Sequence, residues 1–156
     1  MNSRTSGVLA FFTCVMIAPC SVDASCVDFA SNEFRLDARI IYSIIKTQSN
    51  FNSKAININT NKSWDIGLMQ INTIHQDELR EHGMKLSDLL VPCKNIIVGS
   101  WLLRRHIDAA NGNVWQGVGD YHSLTPELSF QYALKVKSVY NKLGDVFLLS
   151  EMRHKW

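Results

Sequence analysis

Apolar residues recur at helical spacing along this chain, and this periodicity is the feature that most limits its possible folds. The clearest case follows Asp37, where apolar residues and one glutamine fall at offsets of 0, 3, 4 and 7, on one helix face: Ile41, Ile44, Ile45 and Gln48. Further helices are predicted from Asn72 to near Gly83, from about Cys93 to Ala110, and from Thr125-Pro126-Glu127 to before Gly144. The predicted fold class is therefore mostly α.

The segment between Ser49 and Asp65 lacks this periodicity. It is rich in Asn and Ser, which favour turns, and we predict an exposed loop or a small irregular β-hairpin here. Ser87 is predicted to cap a short turn that Pro92 stops. Because no repeat or Pro-rich linker divides the chain, residues 25–144 are predicted to form one domain. The remaining residues, 145–156, are a C-terminal tail that either docks on the domain or frays.

The N-terminus has the layout of a secretory signal peptide. Arg4 precedes an apolar stretch from Gly7 to Ala18, and the small residues Val22 and Ala24 stand before a cleavage point. The apolar stretch is too short to span about 30 Å of hydrocarbon, so no membrane span is predicted. We therefore interpret residues 1–24 as a cleaved signal peptide; the alternatives are a short buried helix and, more weakly, a lipoprotein anchor at Cys20.

Four cysteines reduce to two after that cleavage, because Cys14 and Cys20 leave with the signal peptide. Cys26 and Cys93 remain, and in an oxidising compartment two cysteines indicate one disulfide. Closing a loop of that length contributes about 4 kcal/mol in the chain-entropy model. Two lone cysteines without a Cys-x-x-Cys pair do not predict a metal site.

The charge balance excludes some classes of partner. With 16 Lys and Arg against 14 Asp and Glu, the net charge is +2, and no run of five like charges occurs. This gives no support for nucleic-acid binding. It suits an anionic polymer only weakly.

Several motifs in the chain resemble those of the lytic transglycosylase branch of the lysozyme-like superfamily. They are Lys46-Thr-Gln48-Ser49-Asn50-Phe51-Asn52, Ser63-Trp-Asp65-Ile-Gly67-Leu68-Met69-Gln70-Ile71-Asn72, Pro92-Cys93-Lys-Asn95-Ile and Gly119-Asp-Tyr121-His122-Ser123-Leu-Thr125-Pro126. The resemblance implies a lysozyme-like fold with a small irregular or hairpin region. It also implies a periplasmic monomer without a cofactor that acts on peptidoglycan glycan strands. The small size and the Tyr-His-Ser-x-Thr-Pro stretch are similar to members that accompany conjugation, type III or type IV secretion and pilus assembly, whose components are then candidate partners.

The resemblance places the catalytic Glu of the family at position 48, where this chain has Gln48. The family cleaves the β-1,4 bond between N-acetylmuramic acid and N-acetylglucosamine. Its Glu protonates the glycosidic oxygen, then takes the proton of the muramic acid 6-hydroxyl to give a 1,6-anhydro product. An amide can do neither, and losing a general acid or base costs about 10² to 10⁴-fold each. The chain as written is therefore expected to be inactive or to trap substrate.

Three accounts of Gln48 stay open. The residue is a laboratory substitution that makes a trap, or it belongs to a naturally inactive relative kept for binding, or another carboxylate acts. We favour the first, because every other piece of the motif is present. Asp65 is the candidate auxiliary carboxylate, since paired carboxyls across a groove work together in glycosidases; the alternative is a loop Asp that bonds backbone amides.

Seven further residues are implied by the resemblance to bind substrate: Ser49, Met69, Gln70, Asn72, Tyr121, His122 and Tyr132. Three of them have ordinary structural alternatives. Met69 could lie in a helical core, Asn72 could cap a helix, and Tyr132 could pack on its own helix. The other histidines show no metal spacing and are interpreted as surface residues: His75, His82, His106 and His154.

Overall fold

A computed structural model describes residues 24–153, with side chains through Gly144. Within this range, six helices and three short strands follow one another in this order: α1 (Ala24–Phe34), α2 (Ala38–Ser49), β1 (Ile56–Ile58), β2 (Trp64–Ile66), β3 (Ile71–Asn72), α3 (Gln76–Glu81), α4 (Pro92–Ala109), α5 (Val114–His122) and α6 (Pro126–Arg153). Two 3₁₀ turns, Thr73–His75 and Leu86–Leu90, precede α3 and α4. The prediction of a mostly α chain is confirmed.

Both ends of α2 are fixed by local hydrogen bonds. The side chain of Asp37 accepts a hydrogen bond from the backbone N–H of Arg39 at 2.9 Å and caps the first turn. At the other end, Asn50 adopts a left-handed conformation and its N–H bonds the carbonyl of Lys46, which stops the helix. The predicted apolar face is buried. Gln48 consequently lies in the last turn of a firmly packed helix.

The Asn-rich segment forms the predicted hairpin, extended by a third strand. The three strands are antiparallel in the order β1-β2-β3. Asp65, in the middle of β2, lies opposite Asn57 on one side and Asn72 on the other. Because alternate side chains of a strand point to opposite faces, this row of three polar residues shares one face. Ile66 and Ile71 face the other way and are buried.

Helices α1, α2, α4, α5 and α6 surround the main core, and a second cluster lies under the sheet. A disulfide between Cys26 and Cys93, with Cα atoms 5.3 Å apart, joins α1 to the start of α4 and confirms the predicted pair. Helix α5 packs closely on α4, because a Cβ on Gly117 would lie 2.5 Å from the Cα of Ile107. The bundle thereby brings α4 and α5 together beside the sheet.

The structure departs from the predicted helices and turns in four places. Helices α1 and α5 were not predicted; α5 carries Gly117 and Gly119, which lower helix propensity, and tertiary packing overrides that cost. Ser87 is not the cap of its turn. The turn begins at Leu86, its N-cap is Lys85, and the side chain of Asp88 accepts a hydrogen bond from the backbone N–H of Lys85. Helix α6 continues through Gly144 to Arg153, further than its sequence pattern predicts.

Two other predictions concern the chain ends. The predicted signal peptide lies, except for Ala24, outside the described residues. Of the helices found within residues 24–153, none combines the length and apolar character needed to cross a bilayer.

Candidate active site

One cleft of about 890 Å³ runs between the sheet and the α5–α6 region, with α4 at its base. Its lining brings together six of the residues that the sequence singled out: Gln48, Asp65, Gln70, Asn72, Tyr121 and His122. The side chains of Ser49, Met69 and Tyr132 do not line it. The predicted site residues therefore divide into a group that faces the cleft and a group that stands behind it.

Gln48 is half-buried at the edge of the cleft. Its side-chain amide makes no hydrogen bond to another side chain or backbone group within residues 24–144. Ser49, the next residue, turns its hydroxyl back onto α2 and donates to the carbonyl of Ile45 at 3.2 Å. The amide of Gln48 is thus available to a ligand in the cleft, whereas the hydroxyl proton of Ser49 is already donated within α2.

Asp65 is held by two amides. The side-chain nitrogen of Asn72 donates to one of its carboxylate oxygens at 2.6 Å, and that of Asn59 donates to the other at 3.0 Å. Asp65 lies on strand β2 and bonds side chains, so the alternative of a loop Asp bonding backbone amides is wrong. The carboxylate is fixed in orientation on the sheet face of the cleft.

The side chain of Gln70 ties the chain segments beneath the cleft together. Its amide nitrogen donates to the carbonyls of Gly67 at 2.8 Å and Ala55 at 3.2 Å, and its oxygen accepts from Asn57. Both amide protons are therefore committed within the protein. These bonds also stabilise the left-handed backbone of Gln70, at a φ of 51°. Gln70 organises the cleft wall and presents little of itself to a ligand.

Met69 is fully buried, because its side chain fills the space beside Gly99, where a Cβ would lie 2.5 Å from the sulfur. Only its backbone takes part in the site. The carbonyl of Met69 accepts a hydrogen bond from the hydroxyl of Tyr121 at 2.9 Å, and its N–H donates to Asn95 at 2.8 Å. The groove role that the resemblance implies for this side chain is not seen.

Two tyrosines stand on the helical side of the cleft. Burial raises the pKa of Tyr121, and the negative charge of Asp65 raises it further. Tyr132 is buried behind the cleft and stacks on His122, with ring centroids 4.5 Å apart and planes 18° from parallel. Its hydroxyl has no hydrogen-bond partner among the described residues, and burial raises its pKa. Both phenols are neutral donors at physiological pH.

Histidines line the cleft more extensively than the sequence predicts. His75 and His106 were interpreted as surface residues, yet both line the cleft, and His106 meets the ring of Tyr121 edge-on at 6.2 Å. His106 follows Leu102 by one helical turn, and that spacing was the available signal. His82 is exposed as predicted, and His154 lies outside the described residues. Burial lowers the pKa of His75, His106 and His122, so these imidazoles are mostly neutral at pH 7.

The Asn-rich hairpin also supplies lining residues that the sequence did not single out. Asn57, Asn59 and Asn61 all line the cleft, and the recurrence of Asn at every second residue was the missed signal. Asn57 lies on β1, whereas Asn59 and Asn61 lie in the connection from β1 to β2. Within residues 24–144, no three His, Cys, Asp or Glu side chains are grouped so that they could hold a metal ion.

The family model of the transglycosylase SLT domain matches residues 25–142. The chain belongs to this family. A solved structure of the lytic transglycosylase Slt from Pseudomonas aeruginosa superposes on this SLT domain with a TM-score of 0.67 at 20% identity. The match covers 80% of this chain and 24% of that protein, and it confirms the predicted lysozyme-like fold.

Several curated proteins are similar to this SLT domain over most of its length. A "Peptidoglycan-binding-like protein" of Escherichia coli O157:H7 is 32% identical over 94% of this chain and 95% of its own length. The invasion protein IagB of Salmonella typhi is 32% identical over 79% of each chain. Protein IpgF of Shigella flexneri is 31% identical over 76% of this chain and 79% of its own.

Proposed function

We propose that this SLT domain binds peptidoglycan glycan strands in its cleft and is built as a lytic transglycosylase. The reaction is cleavage of the β-1,4 bond between N-acetylmuramic acid and N-acetylglucosamine, with a 1,6-anhydro product. One observation carries the proposal: residue 48 lies half-buried in a cleft that Asp65 and Tyr121 also line. Those are the positions at which the sequence resemblance places the catalytic acid and its neighbours.

The chemistry of residue 48 decides whether this chain turns substrate over. A carboxylic acid at this half-buried position would have its pKa raised by partial desolvation, which suits a general acid near neutral pH. Gln48 has the same shape and no exchangeable acidic proton. We therefore infer that the chain with Gln48 binds substrate without cleaving it. The similar Slt structure is of a mutant with Gln in place of Glu that is described as inactive.

Asp65 has the position and the fixed orientation of an auxiliary carboxylate. Its two amide partners hold it on the opposite side of the cleft from Tyr121 and His122. Its charge adds to the rise that burial causes in the pKa of Tyr121, and it partly opposes the lowering that burial causes in the pKa of His122. A negative charge placed there stabilises an oxocarbenium-like state. Asp65 cannot replace the acid itself, because the family mechanism gives and takes the proton at residue 48.

A non-catalytic peptidoglycan-binding protein is the second candidate. The "Peptidoglycan-binding-like protein" of E. coli O157:H7, which matches almost end to end, favours it, as does the amide at residue 48. This candidate predicts that Gln48 is the natural residue. The first candidate predicts that Gln48 replaces a Glu.

The cellular role that we propose is local opening of the wall during assembly of a secretion, conjugation or pilus apparatus in the periplasm. The relative named invasion protein IagB supports it, together with the predicted signal peptide. The disulfide between Cys26 and Cys93 indicates an oxidising compartment.

The test compares the chain from residue 25 with its Gln48→Glu variant on purified sacculi, with soluble products identified by mass. We expect anhydro-muropeptides from the Glu variant at a rate at least about 10²-fold above the parent. Gln48→Ala is the matched control, since it also lacks the acid and should stay as inactive as the parent. Adding Asp65→Asn to the Glu variant should lower the rate without abolishing it.

The other outcomes separate the candidates. Binding to sacculi without products from either chain would favour the binding protein. Equal product release from parent and Glu variant would refute the assigned role of residue 48. Products with ordinary reducing ends would indicate hydrolysis in place of the transglycosylase reaction.

A further inference from the structure

Three large aliphatic side chains are exposed inside the cleft. Ile74 is 71% exposed, Leu124 77% and Leu128 49%, and all three line the same concave surface. Single exposed leucines are ordinary on protein surfaces, but several together in a cleft mark a surface that meets an apolar group. The catalytic scheme above uses none of them.

These side chains come from both walls of the cleft, and we call the part of the cleft that they line the apolar section. Ile74 follows β3, and its backbone N–H donates at 2.9 Å to Asn72, the residue that also holds Asp65. Leu124 and Leu128 stand on the opposite side, at the α5–α6 connection and the first turn of α6. Leu102 of α4 is buried at the base. The section therefore has apolar groups on two walls and at its base.

The section built by the β1–β2 hairpin has a different character. It presents amides and hydroxyls: Asn57, Asn59, Thr60, Asn61 and Ser63. Such groups suit the hydroxyl and acetamido substituents that both amino sugars of peptidoglycan carry. They give no means of telling the two sugars apart.

We infer that Ile74, Leu124 and Leu128 form a subsite for the lactyl substituent of N-acetylmuramic acid and the first residue of the peptide attached to it. This assignment rests on the proposed function, and it identifies the part of the cleft that recognises N-acetylmuramic acid. N-acetylglucosamine has a hydroxyl where N-acetylmuramic acid has the lactyl ether, so an apolar subsite gains binding energy only from the muramic sugar. This section distinguishes peptidoglycan from a polymer of N-acetylglucosamine alone.

The charges around this section agree with an uncharged contact. No Lys or Arg is among the described residues that line the cleft. Three imidazoles line the cleft, those of His75, His106 and His122, and they are mostly neutral at pH 7 because burial lowers their pKa values. The carboxylates of Asp65 and Asp120 also line the cleft, and they would repel a carboxylate of the peptide. A carboxylate of the peptide would find no cation here, whereas a methyl group finds apolar walls.

The test measures binding of the chain from residue 25, with Gln48 in place, to insoluble sacculi and to chitin. We expect the parent to bind sacculi more tightly. The double variant Ile74→Ser with Leu128→Ser should lose affinity for sacculi by roughly tenfold, since lost apolar contacts of this size have effects of that order. Its affinity for chitin should stay as it was.

A matched pair of exposed apolar residues outside the cleft serves as the control. Ile58 is 72% exposed on β1 and Leu134 51% exposed on α6, against 71% and 49% for the cleft pair. The double variant Ile58→Ser with Leu134→Ser should leave both affinities unchanged, and unfolding midpoints confirm that all variants fold.

Three results would overturn the subsite while leaving the proposed function intact: equal binding of the parent to sacculi and chitin, an unchanged affinity of the cleft variant for sacculi, or an equal loss in the control variant. A parent that binds neither polymer would refute the proposed function itself, and the subsite with it.

Discussion

Asn95 is the buried polar residue on which the cleft most depends. It lies in the first turns of α4 and is fully buried. Its side-chain oxygen accepts from the N–H of Met69, and its nitrogen donates to the carbonyls of Ile66 and Leu89, all at 2.8 Å. The segment after β2 passes so close that a Cβ on Gly67 would lie 2.2 Å from the Asn95 nitrogen. One side chain therefore fixes the path of the backbone under the site.

We predict that Asn95→Ala destabilises the protein by about 4 kcal/mol. The substitution removes three hydrogen bonds and leaves one N–H and two carbonyls in a dry interior. Each unsatisfied buried group costs about 1 to 3 kcal/mol, and we use the lower part of that range because the strand and turn allow some relaxation. The free energy of unfolding, measured by urea denaturation, is the readout.

The control for this prediction is Asn141→Ala, an exposed position on α6. We expect a change within about 0.5 kcal/mol there, since exposed substitutions away from special features have small effects. A loss below about 1 kcal/mol for Asn95→Ala would refute the reasoning, because the three bonds would then carry no net stability. Sacculus binding should weaken in the same variant, since the Met69 carbonyl that holds Tyr121 lies on the segment that Asn95 fixes.

Two further predictions concern the disulfide and the pH dependence of stability. Replacing both Cys26 and Cys93 by Ala should lower the free energy of unfolding by about 4 kcal/mol, because the bridge closes a loop with a sequence separation of 67. Reductant should then have no further effect on the variant. A loss of stability near zero would show that the bridge does not constrain the unfolded chain. The pKa values of His75, His106 and His122 are lowered by burial, so the unfolded chain, with imidazole pKa values of about 6.5, binds more protons than the folded one below that pH. Stability should therefore fall as the pH drops from 7 to 5, and a triple His→Asn variant should show a flatter profile in urea titrations; an unchanged slope would contradict the assignment.

The helices that the sequence predicts well are those with a recognisable capping residue or apolar face in their own sequence. Helix α2 has a capping Asp37 and a clear apolar face, and α6 begins at Pro126 after a Thr. Helix α5 is different, because its glycines give it little propensity and it is stabilised by close packing on α4. Such contacts join residues of different helices, here Gly117 and Ile107, and the apolar pattern within one helix does not contain them.

The same distinction applies to the site. The motif around Gln48 and Gln70 located the cleft, because it is local and specific in sequence. It did not separate residues that face the cleft from those that support it. Met69 and Tyr132 support it from behind, while His75 enters from the turn just after the motif and His106 from α4, which is distant in sequence. Side-chain direction at a site depends on tertiary contacts, and the sequence motif gives only proximity.

The hydrogen bonds of the cleft explain how binding and proton transfer can be separated in this fold. Asp65 is held by Asn59 and Asn72, and Tyr121 by the carbonyl of Met69. None of these bonds involves the side chain of Gln48. Exchanging an amide and a carboxyl of equal shape at residue 48 therefore leaves the cleft in place and changes only whether a proton can be given and taken. A protein of this fold can lose its catalytic step in one substitution and keep its glycan site, whether that substitution arose in nature or in the laboratory.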